Sequence, residues 1–454
     1  MRNKEVNMLT GSITRGVFSL SLPIMIMNVL QSIFSIVDMA VLKNFDITGT
    51  AVGAVGACAS LITLITGLLI GISAGANVTV AKLIGAGNKE ATQRAVGASM
   101  ALSLAGGIAL MAVGISFAEV FLRWMNCPAS LLDQSVLYFR LYFAGAPILM
   151  LYNFSAAILR AYGDSRSPMM YLILGGVVKL ILNYVCVAYL HLSVTGVAIS
   201  TIVSWSVSAG LCVRLLLNPR GKIALGLSRV RFFKQELKDI LRVGIPAGLQ
   251  QGLYAIANVI IFTTVNTFGP DATTGISVAN NIDGILYQIS TAPALAVMPF
   301  VSQNIGAGNI KRAEKSVGRG VLIAVALGGT IGVLFAVFSR QLSSIMTDSE
   351  AAIAFARQKT IIISSTYFIC GINEILGSAL RGMGKPTVAT AATLIFMCAI
   401  RFVWVYLVFP LCPNLTFLFL IWPIGWVLSI TMLLLFYFPT MKALHKNHEP
   451  ANHT

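Results

Sequence analysis

Twelve runs of about twenty or more apolar residues, parted by short polar stretches, constrain this chain more than any other feature. They lie near residues 14–41, 51–80, 92–117, 131–158, 168–190, 193–217, 240–268, 276–303, 316–339, 351–379, 386–410 and 415–439. Backbone polar groups in hydrocarbon must find their partners within the segment or in a closed barrel, and these runs are about twice the length of a barrel strand. The predicted fold class is therefore an all-α polytopic membrane protein. Composition agrees: charged residues make up 11% of the chain and apolar residues 57%, whereas about a quarter of a soluble domain is charged. The basic start MRNKEVNMLTGSITR precedes an apolar run too long for a signal-peptide core, with no small-residue cleavage site after it, so 14–41 is read as the first span.

Lysine and arginine orient the spans. With the N-terminus inside, inner segments and span ends carry 24 basic residues, and the outer ones carry six: Lys43, Arg123, Arg140, Arg340, Arg357 and Lys359. Lys179 and Arg401 fall inside spans. This bias places both termini in the cytoplasm of a cell whose inner (plasma) membrane holds the protein. The net charge of +16 then reflects topology and the anionic inner leaflet, and calls for no nucleic acid. Seven cysteines are scattered singly, the four histidines form no cluster, and His445, His448 and His453 sit in a tail expected to lack structure. No metal, cofactor or enzymatic activity is expected.

The word IGAGN at 84–88 returns at 305–309, 221 residues later. At the same spacing Val96-Gly97 returns as Val317-Gly318, Leu159-Arg160 as Leu380-Arg381 and Gly163 as Gly384, while Pro23 in span 1 matches Pro246 in span 7 at 223. Several matches at one period indicate two homologous halves of six spans. Six is even, so the halves share one orientation, a parallel repeat. The expected organisation is a first lobe over 1–217, a basic cytoplasmic linker over 218–239 read as partly an amphipathic helix, a second lobe over 240–440 and a cytoplasmic tail over 441–454. IGAGN lacks the lysine of a phosphate loop and follows no strand. Its glycines are expected to end one helix, with Asn88 or Asn309 capping the next.

Together, the twelve spans in two halves, IGAGN after spans 2 and 8, LRAYGDSRSP after span 4, LRGMGKP after span 10 and the acid in IVDMAV resemble the multidrug and toxic compound extrusion (MATE) family over essentially the whole chain. The resemblance implies a V-shaped pair of lobes. It further implies a secondary transporter, not an enzyme, that exports organic cations and other small amphipathic compounds by proton or sodium antiport, and here most simply as a monomer. A lipid-linked oligosaccharide flippase of the wider superfamily is the nearest rival. A non-transporting membrane protein is the more distant one.

An ionisable residue inside a span costs about 2.5–3.5 kcal/mol on insertion scales and asks for a reason. Asp38 follows Gln31 and Asn28 on one face of span 1 and reads as a titrating carboxylate lining a cavity; snorkelling to the interface is the alternative. Lys179 and Asn183, four apart in span 5, share a face. By resemblance, Asp38, Lys179, Asn183 and Thr201 fall where family members hold a cation. This chain departs from that pattern by carrying a lysine and an amide where relatives have a neutral ligand and an acid. An ammonium supplies donors and a positive charge, so protons are favoured over sodium ions as the coupling species; a purely structural Asp38–Lys179 pair is the alternative. Gln31, together with Gln251, Tyr254 and Asn258 on one stripe of span 7, Asp283 in span 8 and Arg401 in span 11, is assigned to the substrate cavity, with helix packing as the alternative for the stripe and a structural role against a neighbouring acid for Arg401. Glu374, near the inner end of span 10, reads equally as a site residue or as an acid paired with Arg381 or Lys385.

Overall fold

The computed structural model describes residues 5–46, 49–219, 221 and 223–448. Helices follow one another as α1 (Ile13–Phe45), α2 (Ala51–Gly85), α3 (Lys89–Trp124), α4 (Ala129–Ala144), α5 (Ala146–Ala161), α6 (Arg166–Asn183), α7 (Ser193–Leu217), α8 (Lys234–Asn266), α9 (Pro270–Gly306) and α10 (Ile310–Val337). Then come α11 (Ser339–Ser344), α12 (Glu350–Ser364), α13 (Tyr367–Gly382), α14 (Pro386–Thr393), α15 (Ile400–Val403), α16 (Leu415–Phe419) and α17 (Ile421–His448). Wider π-type turns continue α6 over Tyr184–Tyr189 and join α14 to α15 over Leu394–Ala399.

Among the described residues, ten helical stretches are long and apolar enough to cross a membrane, and the number is twelve if two bent pairs each count once. The bent pairs are α4 with α5, at 45°, and α12 with α13, at 49°. They occupy spans 4 and 10, corresponding places in the two halves. Many large apolar side chains point outward, Val259 at 60% exposure and Phe438 at 63% among them. Such surfaces suit lipid, where apolar side chains need no burial against protein.

The glycines of the repeat explain its persistence. In each IGAGN the second glycine has positive φ, +68° at Gly87 and +75° at Gly308, a conformation L side chains rarely adopt. Bonds from the Asn88 amide to the Leu83 carbonyl and from Asn309 to Asn304 close each helix end five residues back. Gly163 and Gly384 do the same after the Leu-Arg pairs, at +87° and +78°. The capping expectation holds in full only in the first half: the Asn88 side chain accepts from the Ala91 N–H at 3.0 Å, while Asn309 sits at the cap position without such a bond.

Contacts divide the chain into two compact units. One contains Ile26–Ile84 and Asn88–Gly248; the other contains Val6–Met25, Gly85–Gly87 and Leu249 onward. The dividing points fall inside α1 and α8, and on either side of Gly85–Gly87 at the end of α2. In the first unit Ala95, Val96, Tyr152, Ile158 and Leu159 lie in one core cluster, and Leu42, Cys58, Ile62, Tyr138 and Phe143 in another. The largest core of the second unit joins Val17, Leu20 and Ile24 to Val297, Phe300, Ile375 and Leu380.

Within the 218–239 linker, Leu227–Arg229 form a 3-10 turn, and the helical part expected there is Lys234–Asp239, which continues without a break into α8. One detail departs from expectation. The expected lack of structure in the tail does not hold for its described part: α17 continues through His448, with His445 Nε2 3.1 Å from Glu314 Oε2. His453 lies outside the described residues.

Candidate functional site

In the first unit, α6 approaches α1 closely because it carries two adjacent glycines. A Cβ on Gly176 would lie 2.0 Å from the Phe34 ring, and one on Gly175 would lie 2.3 Å from the Ser208 hydroxyl of α7. One turn farther along both helices, Lys179 Nζ donates to Asp38 Oδ2 at 2.6 Å and Asn183 Nδ2 donates to Asp38 Oδ1 at 2.5 Å. All three side chains are buried. Both carboxylate oxygens are thus engaged, one by a full positive charge, in a low-dielectric setting where such contacts count for more than in water. Three of the four residues assigned to cation coupling therefore converge. Thr201 is buried too, but its hydroxyl donates to the Val197 carbonyl of its own helix at 2.8 Å. Asn183 Oδ1 has no hydrogen-bond partner, and so remains an available acceptor beside the pair.

The second unit holds another buried pair. Lys359 Nζ lies 2.8 Å from Asp283 Oδ2, also donates to Asn280 Oδ1, and stands 5.4 Å from the centre of the Trp422 ring. Lys359, an outer cation by the sequence, is 2% exposed and lies nine residues into α12, inside the span. The rule that singled out Lys179 applies to it equally, since an ionisable residue within an apolar window demands a partner. Nothing in the sequence links it to Asp283, which is 76 positions away.

Arg401 is 1% exposed and donates through Nη1 to Asn258 Oδ1 at 2.5 Å. Its guanidinium carbon stands 5.0 Å from the ring centres of both Tyr254 and Trp422. No acid among the described residues lies within ion-pairing distance of it, so the expected structural pairing gives way to an amide and two aromatic faces. Gln251 and Tyr254 line a small cavity with Gln250, Tyr287, Asn373 and Glu374. Arg381 bonds to Gln250 and Ser378, leaving Glu374 free of an ion pair and facing that cavity. Gln31 is exposed on α1, apart from the Asp38 cluster's hydrogen bonds. No grouping of three or more His, Cys, Asp or Glu side chains able to hold a metal ion occurs among the described residues.

The family model for MatE matches the chain twice, over residues 23–185 and 246–407, beginning each time at the repeated proline. The chain belongs to the MatE family. It is 27% identical to the probable multidrug resistance protein YoeA of Bacillus subtilis over 83% of each chain, and 24% identical to an FAD transporter of Shewanella oneidensis over 84% of each. Among solved structures it superposes on a MOP superfamily transporter from Pyrococcus furiosus, described as having a binding pocket of reverse polarity that suggests a different function. The TM-score is 0.90, with 21% identity over 97% of this chain and 99% of that one. The MatE fold is accordingly that of this multi-pass membrane protein.

Proposed function

We propose that the protein is a secondary active efflux transporter for small amphipathic or cationic compounds, working by alternating access in the inner membrane and driven by proton antiport through Asp38. Membership of the MatE family and relatives named for multidrug resistance support efflux. One observation supports protons over sodium ions: the Lys179 ammonium sits 2.6 Å from Asp38 Oδ2, the place a coupling metal ion would have to take. An ammonium offers donors only, so sodium would have to displace a tethered cation before finding oxygen ligands. A proton instead needs only that the pair part. When helix movement separates Lys179 from Asp38, the carboxylate is freed to take up a proton from outside; when they re-pair, the proton leaves to the cytoplasm, and substrate moves in exchange. Pairing and protonation exclude each other, and antiport follows if substrate is held only in the paired state.

Reconstitution in liposomes tests this directly, with a proton or a sodium gradient imposed separately and a fluorescent organic cation followed. Export under the proton gradient is expected, with Asp38→Asn inactive yet folded and membrane-inserted, and Lys179→Ala shifted in its pH profile. Export driven by neither gradient, or an Asp38→Asn variant at the wild-type rate, would overturn the reading. Both termini and both IGAGN loops are placed in the cytoplasm; a cysteine at Asn88 that reacted with an impermeant reagent in intact cells would reverse that orientation.

A further inference from the structure

We infer that Arg401 is the receiving group of an anion site in the second unit, which takes the carboxylate or phosphate of an anionic solute. The inference adds anionic amphipathic solutes to the transport reading, beside the cations named there, and rests on that reading only for the solute's being moved as well as bound. Charge is the first ground. Lys359 and Arg401 both approach Trp422, and Asp283, whose Oδ2 is already held by Lys359, is the one acid among the described residues in ion-pairing contact with either. Glu374, the other acid near Tyr254, interacts with Arg381, so two carboxylates stand against the three cations Lys359, Arg381 and Arg401 and leave one positive charge uncompensated inside a membrane-spanning unit. Buried charges are otherwise paired, because an isolated one forfeits its hydration without return.

Geometry is the second ground. Arg401 Nη2 is buried without any hydrogen-bond partner, although the side chain is almost completely enclosed. A guanidinium presents its two Nη groups as a planar fork that matches the two oxygens of a carboxylate or phosphate. One prong is open. The other is occupied by Asn258 Oδ1, a neutral acceptor on a residue that is itself exposed. The fork therefore lies one side chain beneath the surface of its unit, and rotation of Asn258 would present both prongs to an entering anion. Tyr254 and Trp422 flank the guanidinium and would hold it in plane while the ligand binds. Asp283 Oδ1, also without a partner, lies on a carboxylate already neutralised by Lys359, so it does not cancel the fork's charge.

The experiment is a binding measurement on the purified full chain in nonionic detergent, with ionic strength held constant by MES, a bulky sulfonate. Benzoate, its neutral counterpart benzamide and inorganic phosphate are titrated, and melting temperature and tryptophan fluorescence are read. Benzoate or phosphate is expected to raise the melting temperature saturably and benzamide to leave it unchanged. A response to benzoate at lower concentration than to phosphate identifies an organic acid as the ligand class; the reverse order identifies the free inorganic anion. Arg401→Gln is expected to melt no lower than the unliganded wild type, since it removes an unpaired charge, and to bind the anion at least tenfold more weakly. Asn258→Asp, which sets a carboxylate against Nη1, should abolish the response in the same way while keeping the arginine. If neither anion acts saturably on the wild type, or Arg401→Gln responds like the wild type, the site does not exist. Because binding is read without transport, a failed proton-coupling experiment leaves this result standing, and the converse holds as well.

Discussion

In the first half of the chain α1 brings Asp38 to Lys179 on α6; in the second half the corresponding spans, α8 and α14–α15, bring Asn258 to Arg401. An acid facing a cation has become an amide facing a cation. The exchange runs the other way in spans 8 and 10, where Asp283 meets Lys359. Subtracting the repeat spacing of 221 gives Ile62 and Tyr138, which lie together in an apolar core cluster of the first unit. Duplication has thus kept the backbone devices, the left-handed glycines and the bent spans, while the buried charges sit at different places in each half. In the first half the acid of span 1 is paired with a lysine, and in the second Arg401 stands without an acid beside it among the described residues. Backbone geometry tolerates few residues at a positive-φ turn, whereas a buried pair can be exchanged whole for an apolar contact at little net cost.

The largest effect is expected from breaking the second pair. Lys359→Met strands the Asp283 carboxylate and should destabilise the protein by about 3–5 kcal/mol. Installing the first-half residues together, as Asp283→Ile with Lys359→Tyr, should recover most of that loss. Thermal unfolding of the three proteins in detergent measures both values. A double variant no more stable than Lys359→Met would mean that the pair cannot be exchanged as a unit, and that the two halves are not built on the same plan.

The same physics decides how much of the fold and the site can be read from the chain. Spans announce themselves because hydrocarbon demands long apolar runs, and Lys179 and Asn183 because a spacing of four places them on one helix face. The approach of α6 to α1 was written in the glycine pair of LILGGVVK, yet only the structure shows that Phe34 lies opposite it. Lys359 escaped because a cation near the start of a span resembles one at the interface, and its burial depends on packing between elements far apart in sequence. The open prong of Arg401 is a three-dimensional fact of the same kind: an arginine in a span is visible, whereas the lack of an acid beside it is not.

The close approach of α1 and α6 offers the next test. Gly176→Ala would put a methyl group 2.0 Å from the Phe34 ring, and the expected loss is about 1–3 kcal/mol as the helices part or the ring turns. Because Lys179 and Asp38 sit one turn beyond, proton-driven export should fall as well, and Phe34→Leu should restore part of both. Loss of stability with unchanged transport would show that the pair tolerates a wider helix separation than its 2.6 Å contact suggests.

The smallest expected difference separates the two copies of IGAGN. In the first, Asn88 both follows the left-handed glycine and caps α3, its Oδ1 accepting from the Ala91 N–H at 3.0 Å. In the second, Asn309 stands at the start of α10 with no side-chain bond to the first turn. Removing a capping side chain costs about 0.5–2 kcal/mol, because a first-turn donor loses its acceptor, while removing one that makes no such bond removes little. Asn88→Ala should therefore lower stability measurably and speed hydrogen exchange at the Ala91 amide, and Asn309→Ala should do so by a few tenths of a kcal/mol at most. Thermal unfolding together with hydrogen exchange on both variants measures the contrast. Equal losses would mean that the two asparagines cap alike once in the bilayer, and that the copies differ in their charges alone.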